Sequence, residues 1–584
     1  MNVKSFLKKL KIFIPYLLLF LTAGILAWKS KYGFGWNDES FYFSLVHRFA
    51  TGETPLIDEW FEVQTFAPFL IPFYKLYILF VGDVEGIYLY FRIIFLLLNL
   101  VIGIFIYYMI NKYEHQSGIA LVAAIIFMIY AKENIQTESY YSLSLQATVM
   151  AFLLLYQSCK IKNKVCNLLL YFCTGIFLAI SVAANPFLII PYTAAVIIYL
   201  LIGFIKDKKI IINILIFVLG SFSVAIMYVS YILKSVTIKE LIHNLPHVII
   251  NDEHPAKNIF IDIIRWGWYS VKPFGMNTKS PQEIAAWYLY IPIIIFLMII
   301  LIILLANIKN YEIEYRFQMF ITFVSLALLV RYSYNTPKLV GAVYIPFSLI
   351  GIIIYLLTKN KNRDILKLFY VPGLILSVMY QYASNTGIGA ITVGYVLCAM
   401  ASVIFISDYI NENKSRERMN FNIILYIAIV FIVSTTLFNR LTYTFKDDSV
   451  FNLDYEIDRG PWKGVVTNQD FFIQYNEICN DLEFIRITSN EENNIFISNL
   501  LPWGYVYLNN KIGAPSVGTN LLKNIELPTY YKLHPNKQPD YIFIVNENYA
   551  SHNDDNPLQG IIRTMIINEN YKKKVMDSGI LYYR

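Results

Sequence analysis

The sequence predicts an α-helical polytopic membrane protein that ends in an extracytoplasmic α/β domain. Of its 584 residues, 57% are hydrophobic and only 15% are charged. Its apolar runs reach about 17–25 residues, which is long enough to cross a bilayer core. The runs are continuous and do not alternate with polar residues, which excludes a membrane-spanning barrel. Helices are therefore the predicted spanning elements, because lipid cannot satisfy free backbone groups.

The length criterion predicts about 13 transmembrane helices, one for each long apolar run. They lie near Ile12–Trp28, Ile93–Ile110, Ile119–Tyr130, Ser142–Tyr156, Val165–Ala184, Phe187–Ile205, Ile210–Leu233, Trp287–Ala306, Phe317–Tyr332, Leu339–Leu357, Leu366–Tyr382, Ile388–Ile406 and Phe421–Leu437.

Lysine and arginine are distributed unevenly among the connections. The connections Lys162–Lys164, Lys206–Lys209 and Lys359–Arg363 are basic, as is the amino terminus, whereas the hairpin around Asn185 carries no Lys or Arg. Cytoplasmic connections carry the excess of basic residues. This predicts a multi-pass protein of the cell membrane with a cytoplasmic amino terminus and an extracytoplasmic carboxyl-terminal domain.

The predicted transmembrane part covers residues 1–438, with a first outer loop at 29–91 and a long outer loop at 234–286. After Phe438 the polar content rises. The strand-like runs GVV, NIFIS, YVYL, YIFIV and ILYY then alternate with the helix-compatible stretches Phe471–Phe484 and Gly560–Val575. About 145 residues suffice for one small domain. The alternation predicts that residues 439–584 form an α/β domain.

Several function classes are excluded by what the sequence lacks. It contains no P-loop, Rossmann glycine pattern or kinase motif set. Its basic residues are spread over loops and do not form a patch, which argues against a nucleic-acid partner. The His and acidic residues between His243 and His254 match no ligand spacing. No cofactor is predicted, and a divalent metal stays open.

The segment Trp36–Phe61, directly after the first span, carries paired carboxylates. Asp38 and Glu39 precede apolar residues at helical spacing, which predicts an amphipathic helix in the outer interface. Asp38 is either a helix cap or a general base that faces a cleft. His47 and Arg48 are predicted to lie at the surface of this helix.

Three further carboxylates belong to outer segments. Asp58 either orients an acceptor or lies in a solvated turn. Glu133 and Glu138 lie in the short hairpin AKENIQTESYY, where they either complete a cleft with the first outer loop or solvate helix ends.

Four basic residues are candidate partners for a phosphate: Lys132, Arg265, Arg331 and Lys338. Basic groups near span ends either bind phosphate or extend to lipid headgroups. Five residues of the long outer loop either offer phosphate and sugar contacts or form an interfacial aromatic belt: Lys257, Arg265, Trp266, Trp268 and Lys272.

Taken in order, these features resemble the GT-C superfamily of polytopic glycosyltransferases, and in particular its bacterial protein O-mannosyltransferase and aminoarabinose-transferase branch. The resemblance covers the whole chain. It begins with Asp38-Glu39 in NDESFYF, and continues with Gly52, Pro55 and Asp58 and with Arg92 at the second span. It includes GIFLAISVAANPFLIIP, KLVGAVYIPFSLIG, GPWKGVVT and the closing ILYYR.

The resemblance implies a polyprenyl-phosphate-sugar donor. The sugar would pass, with inversion, to a glycan, lipid or protein acceptor on the extracytoplasmic face, with Asp38 as general base and Glu39 beside it. The basic candidates would stabilise the departing phosphate. Two alternatives are a flippase for lipid-linked saccharides and a non-catalytic scaffold for surface-polymer assembly. A flippase would need ionisable residues along a membrane path, and the predicted span centres are largely free of charge.

Overall fold

The structure, a computed structural model, is mostly helical. It describes residues 3–206, 208–249, 259–274, 315–384, 386–413, 419–498, 501–518, 527–546 and 557–584. The predicted span Trp287–Ala306 lies outside the described residues. Every other predicted span coincides with a helix.

The helices of the membrane part are numbered in chain order. They are α1 (Val3–Lys29), α2 (Asp38–Ala50), α3 (Ile71–Val81), α4 (Ile87–Glu114), α5 (Ser117–Ile129), α6 (Tyr140–Lys160), α7 (Lys164–Ala184), α8 (Ile189–Lys206), α9 (Lys208–Ile232), α10 (Ile238–Ile249), α11 (Ile259–Val271), α12 (Tyr315–Asn335), α13 (Tyr344–Leu357), α14 (Arg363–Ile365), α15 (Val371–Tyr382), α16 (Ile388–Glu412) and α17 (Met419–Thr442).

Within the described residues, ten helical stretches are long and apolar enough to cross a membrane, and α1, α5 and α13 contain shorter apolar helices. Helix α16 lies at the centre of the bundle and is buried along almost its whole length. Small residues allow its neighbours to approach closely: a side chain at Gly394 would collide with the backbone of Ser377. Such contacts are typical of helices packed in lipid.

Helix α2 corrects one prediction. Instead of lying in the membrane interface, it is buried from Glu39 to Phe49. It packs against α3, against the short helical turn Ala67–Leu70 and against the carboxyl-terminal domain. His47 and Arg48, predicted to be surface residues, are almost completely inaccessible to solvent. The amphipathic pattern is real, but the polar face is covered by protein instead of water.

The carboxyl-terminal domain, which we call the outer domain after its predicted location, contains helices and strands, as predicted. Its helices are α18 (Gln469–Thr488), α19 (Pro502–Leu508), α20 (Leu527–Leu533) and α21 (Pro557–Asn568). Its strands are β1 (Tyr455–Glu456), β2 (Val466–Thr467), β3 (Asn494–Ile497), β4 (Lys511–Ile512), β5 (Tyr541–Val545), β6 (Lys572–Val575) and β7 (Gly579–Tyr583).

Five of these strands form a mixed sheet in the order β4-β3-β5-β7-β6. Strand β3 pairs in parallel with β4 and β5, whereas β7 is antiparallel to β5 and β6. The run YVYL is not a strand but belongs to α19, whose first position is occupied by Pro502. Proline is favoured at a helix start. The helix-compatible stretch Gly560–Val575 also divides into α21 and strand β6.

The outer domain docks on the first outer loop through backbone and ring contacts. Gly33 donates its backbone N–H to the carbonyl of Val466 at 2.9 Å, and Trp60 donates to the carbonyl of Pro515 at 2.8 Å. The rings of Tyr88 and Trp462 stack with centroids 4.0 Å apart. These contacts hold the loop that carries the paired carboxylates between the membrane helices and the outer domain.

Candidate active site

Helix α2 places two adjacent carboxylates in different surroundings. Asn37 occupies the capping position without a side-chain capping hydrogen bond, and Asp38 is the first helical residue. Asp38 is partly exposed, whereas Glu39 is almost completely buried. A negative charge is favoured at a helix start because the backbone N–H groups there are unpaired. The helix start therefore favours a carboxylate at position 38.

Glu39 is fully used by one arginine. Arg92 of α4 donates from Nε to Oε1 at 2.6 Å and from Nη2 to Oε2 at 2.8 Å. The same guanidinium donates to the carbonyls of Ser30 at 2.7 Å and Gly33 at 2.6 Å. A bidentate arginine–carboxylate pair fixes orientation as well as distance. The Glu39–Arg92 pair thus holds the start of α2 against the second span.

Asp38, by contrast, makes no hydrogen bond or ion pair with any residue that the structure describes. Its charge nevertheless acts on Tyr42, which lies one helical turn further along α2. Burial raises the pKa of Tyr42 well above its ordinary value, and the charges of Asp38 and Glu133 add to this shift. The Asp38 and Glu133 carboxylates therefore lie on the same side of the protein, within electrostatic reach of one phenol.

The turn Lys132–Asn134, between α5 and α6, brings a cation and a second carboxylate to this side. Lys132 Nζ lies 3.3 Å from Glu133 Oε2 and 4.2 Å from the ring centroid of Tyr141. Burial would lower the pKa of Lys132, but Tyr141, Glu133 and Asp38 outweigh it and raise the pKa above its ordinary value. Lys132 therefore stays protonated between the two carboxylates.

The backbone of this turn is strained. Glu133 has φ of 52° and Asn134 has φ of 65°. A left-handed conformation costs a non-glycine residue roughly 1–2 kcal/mol. Such strain persists where the surroundings over-determine it, often at functional sites. Here Gly389 of α16 makes room for the Glu133 side chain, because any side chain at that position would collide with Oε1.

Beside Glu133 opens a cavity of about 290 Å³, which we call the inner cavity. It is lined by Glu133, Tyr269, Lys272, Pro273, Asn335, Leu339, Thr386, Gly387, Ile388 and Gly389. Its volume is at the lower limit of ordinary small-molecule sites. With Lys272 on one wall and Glu133 on another, it offers one cation and one carboxylate to a ligand.

Among the residues that the sequence proposes for phosphate, the structure brings Lys132 next to Glu133 and within electrostatic reach of Asp38. Lys338 directly precedes Leu339 of the cavity wall, but its Nζ lies over the ring of Tyr443 at 5.4 Å. Arg265 is half-exposed and pairs with Asp262 of its own helix at 3.3 Å. Arg331, near the end of α12, is exposed.

The cation that lines the inner cavity is Lys272, which the sequence proposes only as a secondary candidate. It follows α11 in the short turn Lys272–Phe274. In the sequence, only Pro273 indicates that Lys272 lies in a turn, because proline ends the amphipathic helix that carries Trp266 and Trp268. The position of a turn relative to α16 is a tertiary property, which the sequence pattern does not encode.

Glu138 and Asp58 are held by other partners. Glu138 accepts hydrogen bonds from Ser142 Oγ and Gln146 Nε2, both at 2.7 Å, and burial raises its pKa to about 7. Asp58 accepts a hydrogen bond from the backbone N–H of Thr54 at 2.6 Å and lies 3.3 Å from Lys537 of the outer domain. Glu138 therefore supports the start of α6, and Asp58 supports the interface with the outer domain.

Within the described part of the chain, no group of three or more His, Cys, Asp and Glu side chains is arranged to hold a metal ion.

No protein-family model matches the sequence, and no curated protein matches it. Solved structures do. The Archaeoglobus fulgidus oligosaccharyltransferase, in complex with zinc and sulfate, has 13% sequence identity and a TM-score of 0.48, with 90% of this chain and 67% of that chain covered. ArnT from Cupriavidus metallidurans, bound to undecaprenyl phosphate, has 9% identity and a TM-score of 0.44, with 98% and 97% covered.

Proposed function

We propose that this protein transfers a sugar from a polyprenyl-phosphate-sugar donor to a hydroxyl of an acceptor at the extracytoplasmic face of the membrane, with Asp38 as general base. The observation that carries the proposal is the contrast between Asp38 and Glu39. Two neighbouring carboxylates share a buried helix start, and only Glu39 is used structurally. Asp38 has no such partner among the described residues and lies beside a buried lysine and a strained turn. Its carboxylate can therefore accept the proton of an acceptor hydroxyl.

The proposed reaction is a single displacement at the anomeric carbon. The acceptor oxygen attacks the anomeric carbon, the bond from that carbon to the phosphate oxygen breaks, and the hydroxyl proton passes to Asp38. Attack from the face opposite the phosphate inverts the anomeric configuration. General-base catalysis contributes about 10²–10⁴-fold to such a rate. Holding donor and acceptor together removes a further part of the entropic barrier.

The departing phosphate gains negative charge, and cations placed in advance stabilise it. Lys272 lines the inner cavity, and Lys132 lies 3.3 Å from Glu133 of the same cavity wall. We assign the phosphate contact to Lys272 and the orientation of Glu133 to Lys132. Undecaprenyl phosphate, the ligand named for the ArnT structure, is a lipid of the proposed donor class.

Glu39, first proposed with Asp38, takes a positioning role in this scheme. Its two oxygens bind Arg92 and its side chain is almost completely buried, so an acceptor hydroxyl does not reach it. Glu133, which lines the inner cavity, is the second carboxylate that a donor would meet. We propose that it binds sugar hydroxyls and that its pairing with Lys132 prevents it from competing as a base.

The test measures label transfer from a panel of radiolabelled polyprenyl-phosphate sugars to membrane acceptors. The wild-type protein should transfer label from at least one donor, and Asp38→Asn should lose transfer while its expression and thermal unfolding remain unchanged. Near-normal turnover in Asp38→Asn would remove Asp38 from the mechanism. A scaffold protein would tolerate the substitution, and a flippase would move the donor across vesicles without forming a glycosidic bond.

A further inference from the structure

A second cavity, which we call the outer cleft, lies between the first outer loop, helix α10 and the outer domain. Its volume is about 1240 Å³. The first outer loop contributes residues from Thr51 to Asp58, α10 contributes Lys239 and His243, and the outer domain contributes Asn509 and other polar residues. The cleft thus lies entirely outside the membrane helices.

The outer cleft is separate from the proposed reaction site. It begins at the carboxyl end of α2, whereas Asp38 is at the amino end. Thirteen helical steps at 1.5 Å each separate Asp38 from Thr51 by about 20 Å. The cleft also exceeds the usual volume of about 300–1,000 Å³ for a site that binds one small molecule. A ligand that fills it and also reaches Asp38 must be extended.

The walls of the outer cleft are held in place by specific contacts. The His247 ring of α10 stacks on Trp60 with centroids 4.7 Å apart and planes 9° apart. Asn244 Oδ1 lies 3.0 Å from His534 Nε2. Lys537 pairs with Glu53 at 3.0 Å. Three parts of the chain are therefore fixed around one space, and a preformed site saves the ordering cost of binding.

The lining is rich in groups that both donate and accept hydrogen bonds. Asn509, Asn510 and Asn536 line the cleft together with Lys239 and Glu491. Side-chain amides present a donor and an acceptor, as a hydroxyl does. Asn494 Oδ1, in a side chain that is 8% exposed, accepts no hydrogen bond from any described residue. The chemistry of the cleft therefore suits a ligand with many hydroxyl groups.

The same lining disfavours an extended peptide. Peptides commonly add a strand to a sheet edge or place side chains in apolar grooves. The edge strand β4 borders the cleft, but its Ile512 N–H is already bonded to Glu53 Oε1 at 3.0 Å. The apolar residues of the lining are limited to Ile57, Val236 and Leu533.

We propose that the outer cleft binds an extended glycan chain of several sugar units, and that this chain is the acceptor whose growing end reaches Asp38. The glycan-binding part stands on the cleft alone, whereas the acceptor role rests on the proposed function. Binding at two points about 20 Å apart would make long glycans better acceptors than single sugars.

The test uses the full-length protein in lipid nanodiscs on a glycan array that spans neutral, acidic and amino sugars of increasing length. We expect retention of oligomers by the wild-type protein and by Asp38→Asn. Lys239→Trp and Asn536→Trp, which fill the cleft from opposite walls, should reduce retention at least tenfold. Asn568→Trp, an exposed position of the outer domain away from the cleft, is the matched control.

Each outcome decides one of the two proposals. Retention of no glycan, equal retention by the cleft variants, or retention of extended peptides from a peptide array instead would overturn glycan binding. Label transfer by the wild-type protein that is unchanged in Asp38→Asn would overturn the proposed base and leave the cleft untouched. If transfer occurs and the cleft variants keep the wild-type KM for long glycans, the cleft does not hold the acceptor.

Discussion

The two ends of helix α2 carry charged residues in opposite states. At the carboxyl end, Arg48 donates to Glu53 at 2.5 Å, to Glu59 at 2.8 Å and to the carbonyls of Asp58 at 2.6 Å and Ala514 at 2.9 Å. At the amino end, Asp38 has no such partner among the described residues. One helix thus ends in a saturated network on one side and a free carboxylate on the other.

This difference between Arg48 and Asp38 indicates a structural role for the first and suits a chemical role for the second. A buried charge that lacks partners costs several kcal/mol, so a protein retains one only where surroundings or function compensate. Arg48 is almost inaccessible and completely paired, which suits a permanent link between loop and outer domain. Asp38 is partly exposed, which lowers its desolvation cost and leaves it open to a substrate.

The strongest challenge to this comparison is the pair Asp38→Asn and Glu39→Gln. Asp38→Asn should reduce transfer by about 10²–10⁴-fold, equal to about 2.7–5.5 kcal/mol in the barrier, with no change in the unfolding midpoint. Glu39→Gln should lower the unfolding midpoint, because it leaves the Arg92 charge buried without compensation. Single-turnover transfer and thermal unfolding in detergent separate the two. Equal loss of stability in both variants would contradict the division of roles.

At the other end of the helix, Arg48→Met should destabilise the protein by about 3–5 kcal/mol, because Glu53 and Glu59 lose their shared cation inside the protein. The unfolding midpoint of the purified protein is the measurement. Lys511→Met, which removes an exposed pair with Glu492, is the control and should change stability by less than about 1 kcal/mol. If the Arg48→Met protein were as stable as the wild type, the Arg48 network would not be what links the first outer loop to the outer domain.

The inner cavity allows a smaller and more selective test. Lys272→Met should raise the donor concentration for half-maximal rate about tenfold, equal to about 1.4 kcal/mol of lost phosphate binding, and leave the stability unchanged. Arg265→Met is the matched control, because its guanidinium pairs with Asp262 within α11. If Arg265→Met had the larger effect, the phosphate site would lie on the exposed side of α11 instead of in the cavity.

The smallest effect concerns pH. Burial raises the pKa of Glu138 from 4.5 to about 7, so the neutral carboxyl is favoured in the folded protein. A raised pKa gives stability that is complete below 4.5 and lost as the pH rises through about 7. The temperature of the unfolding midpoint should therefore decrease as the pH rises from about 4.5 to about 7, and Glu138→Gln, which keeps a neutral group of the same shape, should weaken that dependence. An unchanged slope in Glu138→Gln would contradict the assignment.

The sequence could predict the helices because each long apolar run has one stable solution in lipid. It also proposed Asp38 as a site residue, because a polar pair directly after a span is conspicuous. The partners of α2 could not be predicted in the same way. Arg48 binds Ala514, and Glu39 binds Arg92 from another helix. Both contacts depend on how distant segments pack.

The local sequence pattern gave a wrong prediction where a helix is buried on both sides. YVYL consists of residues that are common in strands, yet it forms part of α19, where Tyr505, Val506 and Leu508 are all buried. Arg331 and Lys338 stood out because they border spans, whereas Lys272 lies on the cavity wall. A basic residue near the end of a span has a predictable depth in the membrane. The side of the helix bundle that its side chain faces is not predictable from this position.

The hydrogen bond from Ile512 to Glu53 joins residues that are 459 positions apart, and it has a consequence for how the protein is made. Glu53 is synthesised long before strand β4. The part of the first outer loop that covers the edge of this strand therefore exists before the outer domain is made. A fragment of the outer domain expressed alone would lack this cover. Its uncovered strand edge would be free to pair with other copies, which is a common route to aggregation.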